Sequence, residues 1–211
     1  MEVRGWPVSC MRGRGWRAFA CVTLLLVAVL TVASGGSTVA RSALAQSGTL
    51  EPRAYLPLVI KDPSCSLSPE EQQIARFMIE HEEQQRPALT CHPILARVAR
   101  ERAQDMARRN YCDHVNPDGF GPNYLVRQAG YVLPSYYGTE PDANNIESIA
   151  CGYSTAESAW QCWMGSQSHR THLLGLNAFF AEQVEYGIGY AYDPTSLYRH
   201  HWVVITAKPG P

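Results

Sequence analysis

After residue 45 this chain lacks any run that is long and apolar enough to cross a bilayer, which takes about 20 such residues. It has no Cys-x-x-Cys pair and no Cys/His spacing of the zinc-knuckle kind, so a small structural zinc module is excluded. No internal repeat is present. A basic excess is missing as well. The whole chain has 18 Lys and Arg against 19 Asp and Glu, and residues 1–45 hold five of those arginines but one of the acids, Glu2. The remainder therefore carries 13 basic and 18 acidic residues, a net charge of −5. Phosphate backbones are held by clustered Lys and Arg, so this balance excludes nucleic acid as the expected partner.

The first 45 residues have the layout of an export signal. Arg4, Arg12, Arg14 and Arg17 precede an apolar run from Phe19 to Ala33, and Ala43-Leu-Ala45 offers small residues for cleavage. The alternative is an uncleaved anchor, but a 15-residue run is short for one. The expected product is secreted, with no stable membrane span once the leader is removed. Of the seven cysteines, Cys65, Cys91, Cys112, Cys151 and Cys162 follow the leader. Outside the cell disulfides persist. Five is odd, so at least one thiol is expected to stay free or to pair between chains. Cys65 with Cys91 is one candidate pair, tying the first helix to the start of the second; the other pairings stay open.

Residues 46–62, punctuated by Pro52 and Pro57, read as a linker, and 63–211 as one compact domain large enough for a single core. Ser68-Pro-Glu-Glu71 combines an N-cap serine, a proline at the first helical position and a glutamate that closes a capping box. Ile74, Phe77, Met78 and His81 follow at helical spacing, with Pro87 ending the run; His81 reads as a half-exposed helix residue. A second helix is predicted from about Pro93 to Asn110, with Leu95, Val98, Ala99, Ala103, Met106 and Ala107 as its buried stripe. Pro122–Ala129 predicts a short helix closed by Gly130 in a left-handed conformation. Residues 133–145 predict a long surface loop that walls one side of a cleft. Ser154-Thr-Ala-Glu157 predicts another capping box, opening a helix whose Trp160 and Trp163 are core. Gly165–Ser168 is expected to break that helix before His169. Tyr186, Ile188, Tyr190 and Tyr192 alternate with Gly187, Gly189 and Ala191, which predicts a strand with one small face for a closely packed helix. Asp193-Pro-Thr-Ser and Trp202–Thr206 complete an antiparallel hairpin.

Three segments carry chemistry. Asn110-Tyr-Cys-Asp-His114 ends the second helix, and Asn116-Pro-Asp-Gly119 is turn chemistry, so His114 sits where a rigid element passes into a loop. Glu147 opens Glu-Ser-Ile-Ala-Cys-Gly, ahead of a capped helix. His169 lies in Trp163-Met-Gly-Ser-Gln-Ser-His-Arg170. Two imidazoles and a carboxylate from separate segments make up what a metal or proton-transfer site requires.

The order of these pieces resembles the CAP superfamily: cysteine-rich secretory proteins, antigen five of venoms and plant pathogenesis-related proteins. The likeness covers roughly residues 68–207 and is strongest to the shorter bacterial branch. It runs through the Leu95–Ala107 helix, the loop histidine, Gly130-Tyr131, Glu147-Ser-Ile-Ala-Cys-Gly, Trp163-Met-x-Ser-x-x-His-Arg and a Gly-hydrophobic-Gly strand. The resemblance implies an α+β fold, a three-layer α-β-α sandwich around a small antiparallel sheet, secreted, with a cleft holding a histidine/acid tetrad. His114 and His169 match the histidines and Glu147 the glutamate. Ser166 stands at the remaining acid's position, and Ser148 where the family typically has asparagine. Sterol-binding and toxin activities of other branches do not transfer.

His114, His169 and Glu147 form an N/N/O set that Zn2+ accepts with one position left for water, and Ser166 is expected nearby as a hydrogen-bond partner. Alanine at either histidine is expected to abolish zinc uptake with a modest effect on folding. Three readings follow. The first is a secreted ligand-binding or interaction module, with a metal optional and a lipid, wall component or protein as its extracellular ligand. The second is a metal-assisted extracellular hydrolase, which a Glu157 committed to the capping box weighs against. The third is a structural domain whose polar cluster is architectural.

Overall fold

The computed structural model describes residues 10–11 and 65–210. The expected leader and linker lie outside these residues, Cys10 and Met11 excepted. Strand β1 (Cys10–Met11) runs parallel to β3 (Glu147–Cys151), and β2 (Thr90–Cys91) runs parallel to β4 (Glu185–Tyr192). Between them β3, β5 (His200–Ala207) and β4 pair antiparallel, for a sheet order β1-β3-β5-β4-β2. Cleavage after residue 45 would remove β1 and leave four strands with β3 at the edge.

Helix α1 (Pro69–Ile79) starts as its residues dictate, with Ser68 and Glu71 closing the capping box reciprocally. It stops at Ile79, well before Pro87. The Glu80 N–H caps back to the Arg76 carbonyl, and His81 then leaves the helical path, its Nδ1 accepting from the Glu83 N–H at 3.2 Å. This local side-chain bond competes with another helical turn. Helix α2 (Pro93–Arg109) ends on Asn110 in the left-handed region, at φ 56°. Helix α3 (Pro122–Gln128) is followed by Gly130 at φ 93°, as expected.

Helix α4 (Ala156–Met164) is capped by Thr155 and Ser158, one residue later than Ser154 and Glu157. Thr155 is the extended residue that a cap requires, so Glu157 falls on the exposed first turn and only accepts from Gln161. The break before His169 is only Gly165 and Ser166: helix α5 (Gln167–Leu173) then begins at once and carries His169 in its first turn. A last short helix, α6 (Ala178–Ala181), precedes β4.

The layers follow from strand alternation. Ile149, Cys151, Val203, Ile205 and Ala207 face α2, while Ala150, Trp202, Val204, Tyr186 and Ile188 face α1, α4 and α5. Each fully buried large side chain, such as Leu95, Met106 or Trp163, contributes about 2 kcal/mol by leaving water. Trp160 and Trp163 are core, and the Trp163 indole N–H donates to the Ile149 carbonyl at 3.0 Å. On the α2 side β4 is flat because of its glycines. A Cβ at Gly187 would stand 2.1 Å from the Ala96 nitrogen, and one at Gly189 2.2 Å from the Ala99 carbonyl carbon. Gly189→Ala should therefore cost roughly 3 kcal/mol, since backbone must separate to admit one methyl. A urea midpoint equal to wild type would contradict this packing.

The sequence pattern does not mark β3 as a strand. All five of its residues are buried, so both faces are covered and no period-two alternation shows. The 133–145 segment is also less of a surface loop than expected. Ser135–Tyr137 forms a 3-10 turn, Tyr137 is buried, and the Asn123 amide donates to its carbonyl at 2.7 Å. Two disulfides join Cys65 to Cys91 and Cys112 to Cys151. Cys162 is disulfide-bonded as well, so the odd thiol expected from the sequence is not left reduced here.

Candidate functional site

Glu147 enters the site as the first residue of β3. Asn144 precedes it, and the Asn144 side-chain oxygen accepts from the N–H groups of both Ile146 (3.3 Å) and Glu147 (3.1 Å). The Glu147 side chain is completely buried. Its Oε1 lies 3.0 Å from His114 Nδ1, so these two expected site residues do meet. A third partner, Arg102, had no place in the expected site. Its Nε donates to Oε2 at 3.0 Å and its Nη2 to Oε1 at 3.2 Å.

Arg102 is 2 % exposed, a fully desolvated guanidinium in the middle of α2. One signal in the sequence could have found it. It stands four residues from Val98, three from Ala99 and four from Met106, inside the apolar stripe. An arginine there must meet a buried counter-charge. The remaining donors go to the Tyr111 hydroxyl (2.8 Å) and to the carbonyls of Asp113 (2.8 Å) and His114 (2.9 Å). One side chain thus ties α2, the loop carrying His114 and the start of β3 together.

The electrostatics follow from this pairing. Burial by itself would raise the Glu147 carboxyl, but the Arg102 charge and the hydrogen bonds from His114 and Arg102 outweigh it and hold the group below its usual range. Burial would likewise weaken the Arg102 cation, and Glu147 more than restores it.

His169 is 2 % exposed, and neither of its ring nitrogens finds a hydrogen-bond partner among the described residues. Burial, with a smaller contribution from the nearby His114, lowers its pKa to about 4, so the ring is neutral at physiological pH. The same proximity is felt at His172, where burial dominates and Arg86, His169 and His114 add to it. Ser166 stands at the N-cap position of α5 without a side-chain capping bond, and its hydroxyl lies 3.2 Å from Ser168 Oγ.

On the opposite face of the sheet from Glu147 runs a buried polar chain that the sequence did not reveal. Ser148 Oγ and His172 Nδ1 are 2.7 Å apart, and so are His172 Nε2 and Thr206 Oγ1. Thr206 donates to Gln183 Oε1 at 2.6 Å, and the Gln183 amide donates to the Asn145 carbonyl at 2.9 Å. Because the Thr206 hydrogen is spent on Gln183, His172 donates through Nε2 and accepts from Ser148 through Nδ1. Arg86, also buried, donates to the carbonyls of His172 and Leu173 at the end of α5. Together these bonds set the helix that bears His169 against the strand that bears Glu147.

Among the described residues no group of three or more His, Cys, Asp and Glu side chains is placed to hold a metal ion. The donor chemistry agrees. The Glu147 carboxylate is instead turned to a cation already in the chain, with both of its oxygens accepting from Arg102. Among the described residues, His114 and Glu147 of the expected N/N/O set meet, and His169 is not grouped with them as a third ligand. A cavity of about 520 Å3 lies on the outer side of α2, lined by Arg97, Glu101, Asp105, Arg109 and Asp118 among others, with Arg102 at its inner wall.

Comparison with known proteins gives concordant results. The profile of the family described as "CAP: Cysteine-rich secretory protein family" matches residues 74–206. The chain is 31% identical over 111 residues to "Uncharacterized protein YkwD" of Bacillus subtilis (strain 168), a match spanning 53% of this chain and 38% of that one. Among solved structures, the fold is similar to an outer surface protein from Borrelia burgdorferi. That match has a TM-score of 0.51 and 16% identity, covering 69% of this chain and 97% of that one. An extracellular protein containing a SCP domain from Bacillus anthracis str. Ames aligns at TM-score 0.49 and 24% identity, over 70% of this chain and 48% of the other.

Proposed function

This chain belongs to the CAP family of cysteine-rich secretory proteins, and we propose that it is an extracellular ligand-binding module whose ligand seats against His169 beside His114. The observation that carries this reading is His169 itself. A buried side chain leaves a donor and an acceptor unsatisfied at a cost of about 1–3 kcal/mol, and such a cost points to a group that completes the bonding. The ligand is a wall component, a lipid or a protein segment that presents a polar group to the imidazoles. Placement outside the cell is supported by the disulfides and by the leader pattern. No helix among the described residues is long and apolar enough to cross a membrane.

A hydrolase reading has less support. Glu147 is fully buried and paired with Arg102 through both oxygens, which holds it low and makes it a weak base toward water. The architectural reading has one observation in its favour, the three elements that Arg102 and Glu147 staple together.

Amide chemical-shift mapping on the secreted protein separates these readings. The probes are soluble peptidoglycan fragments, phospholipid micelles and zinc chloride. At least one of the first two should shift resonances of residues 114–116 and 166–172, and His169→Ala should remove that response while leaving the urea midpoint within about 1 kcal/mol. Zinc should bind weakly, if measurably, since only two imidazoles are available. If neither organic probe moves these residues, or if His169→Ala responds as wild type does, the cluster is architectural. Submicromolar zinc binding that is lost in His114→Ala would restore the metal site expected from the sequence.

A further inference from the structure

We propose that Arg102 is a positioning residue of this site: its forked guanidinium holds the Glu147 carboxylate as the acceptor for His114 Nδ1–H, and so decides which ring nitrogen of His114 carries the proton. The proposal rests on the ligand-binding reading for its functional meaning, but its geometry stands alone.

The argument is one of counting donors and acceptors. An ionised carboxylate only accepts. Glu147 Oε2 takes the Arg102 Nε–H, and Oε1 takes Nη2–H together with the His114 contact at 3.0 Å. His114 Nδ1 therefore carries a hydrogen, and in the neutral ring Nε2 is the acceptor. On the other side of Arg102, the Tyr111 hydroxyl donates to Asp105 Oδ2 at 2.6 Å, which leaves its oxygen to accept from Nη1. Arg109 fixes Asp105 in turn, at 2.6 Å. The guanidinium is thus held from both ends, and its plane is set by partners that do not touch the histidines.

The second hydrogen of Nη2 is shared between the Asp113 and His114 carbonyls, so Arg102 places the backbone of His114 as well as its ring. Lysine, with one compact ammonium, could replace the charge but not this fork. The ring hydrogen of His114 is thereby committed to Glu147, and the tautomer is set from α2 and not by a ligand.

Long-range 15N–1H correlation of the histidine rings, at about pH 8 on the secreted protein, reads this directly. His114 should show the Nδ1–H tautomer with a protected Hδ1 resonance. In Arg102→Met that resonance should be lost, and in Arg102→Lys it should exchange about tenfold faster. His172, held as the Nε2–H form by Thr206, reports on whether each variant is folded and should not change. Should Arg102→Met fail to fold, Arg102→Lys carries the test. The proposal is overturned if wild-type His114 carries its proton on Nε2, or if a folded Arg102 variant keeps the Hδ1 signal at the wild-type exchange rate. The probe titrations read His169, so either idea can fail while the other stands.

Discussion

Glu147→Ala should destabilise the domain by about 3–5 kcal/mol, the cost of stranding a buried charge. Arg102 is 2 % exposed, so its guanidinium would be left in a desolvated interior without its counter-charge. The loss is a large part of the roughly 5–15 kcal/mol that holds a domain of this size. His114→Ala should cost far less, because the Arg102–Glu147 pair survives it. The double variant Arg102→Met/Glu147→Leu should recover part of the loss, since an apolar pair carries no charge desolvation penalty but leaves the Asp113 and His114 carbonyls without their donor. Urea unfolding at constant m-value measures all three. A Glu147→Ala protein within about 1 kcal/mol of wild type would mean that the ion pair is not buried as described. This shifts the emphasis of the sequence, which reads Glu147, ahead of a capped helix, as a ligand of an ion.

Acidification should destabilise the protein well above the pH at which carboxylates begin to titrate. Burial lowers His169 to about 4, with the His114 charge adding to it, and it lowers His201 to about 4 with help from His200. His172 is lowered well below its usual value, first by burial. In the unfolded chain each returns to about 6.5. Between those values the unfolded state binds more protons than the folded one, so stability rises with pH. The contribution is complete above about pH 6.5 and is lost progressively as pH falls toward 4. At pH 5 the loss amounts to about 2 kcal/mol for each of His169 and His201. Glu147, held low by Arg102, reinforces the trend only further down, as pH falls through its own depressed pKa. Urea midpoints at pH 7.5, 6.5, 5.5 and 5.0 should fall steadily, and His201→Phe should flatten part of the slope. Equal midpoints at pH 7.5 and 5.0 would show that these histidines are hydrated.

How much of this was legible in the chain depended on the range of the interaction. Ser68 and Glu71 announce α1 because a capping box closes within four residues. The Leu95–Ala107 stripe announces α2, and Gly187 with Gly189 announces a strand that a helix can approach closely. His114, Glu147 and His169 are recognisable as a set because their order matches a family. Strand β3 is not legible: a strand covered on both faces has no alternation to read. The cap of α4 slipped by one residue because Ser154 and Thr155 offer the same hydroxyl, and only backbone conformation distinguishes them.

By itself the sequence determined the local elements and the identity of the chemically capable residues, because caps, turns and apolar periodicity act over a few residues. Only the tertiary structure decided what those residues are able to do. Arg102 and Glu147 are 45 positions apart, and their pairing makes the carboxylate a support for His114 where zinc would have needed a ligand. Ser148, His172 and Thr206 join into one buried chain only once β3, α5 and β5 have packed. Whether a polar side chain is a ligand, a base or a strut is set by which partner reaches it first in a desolvated interior. That partner comes from another part of the chain, delivered by the packing of α2 against the sheet.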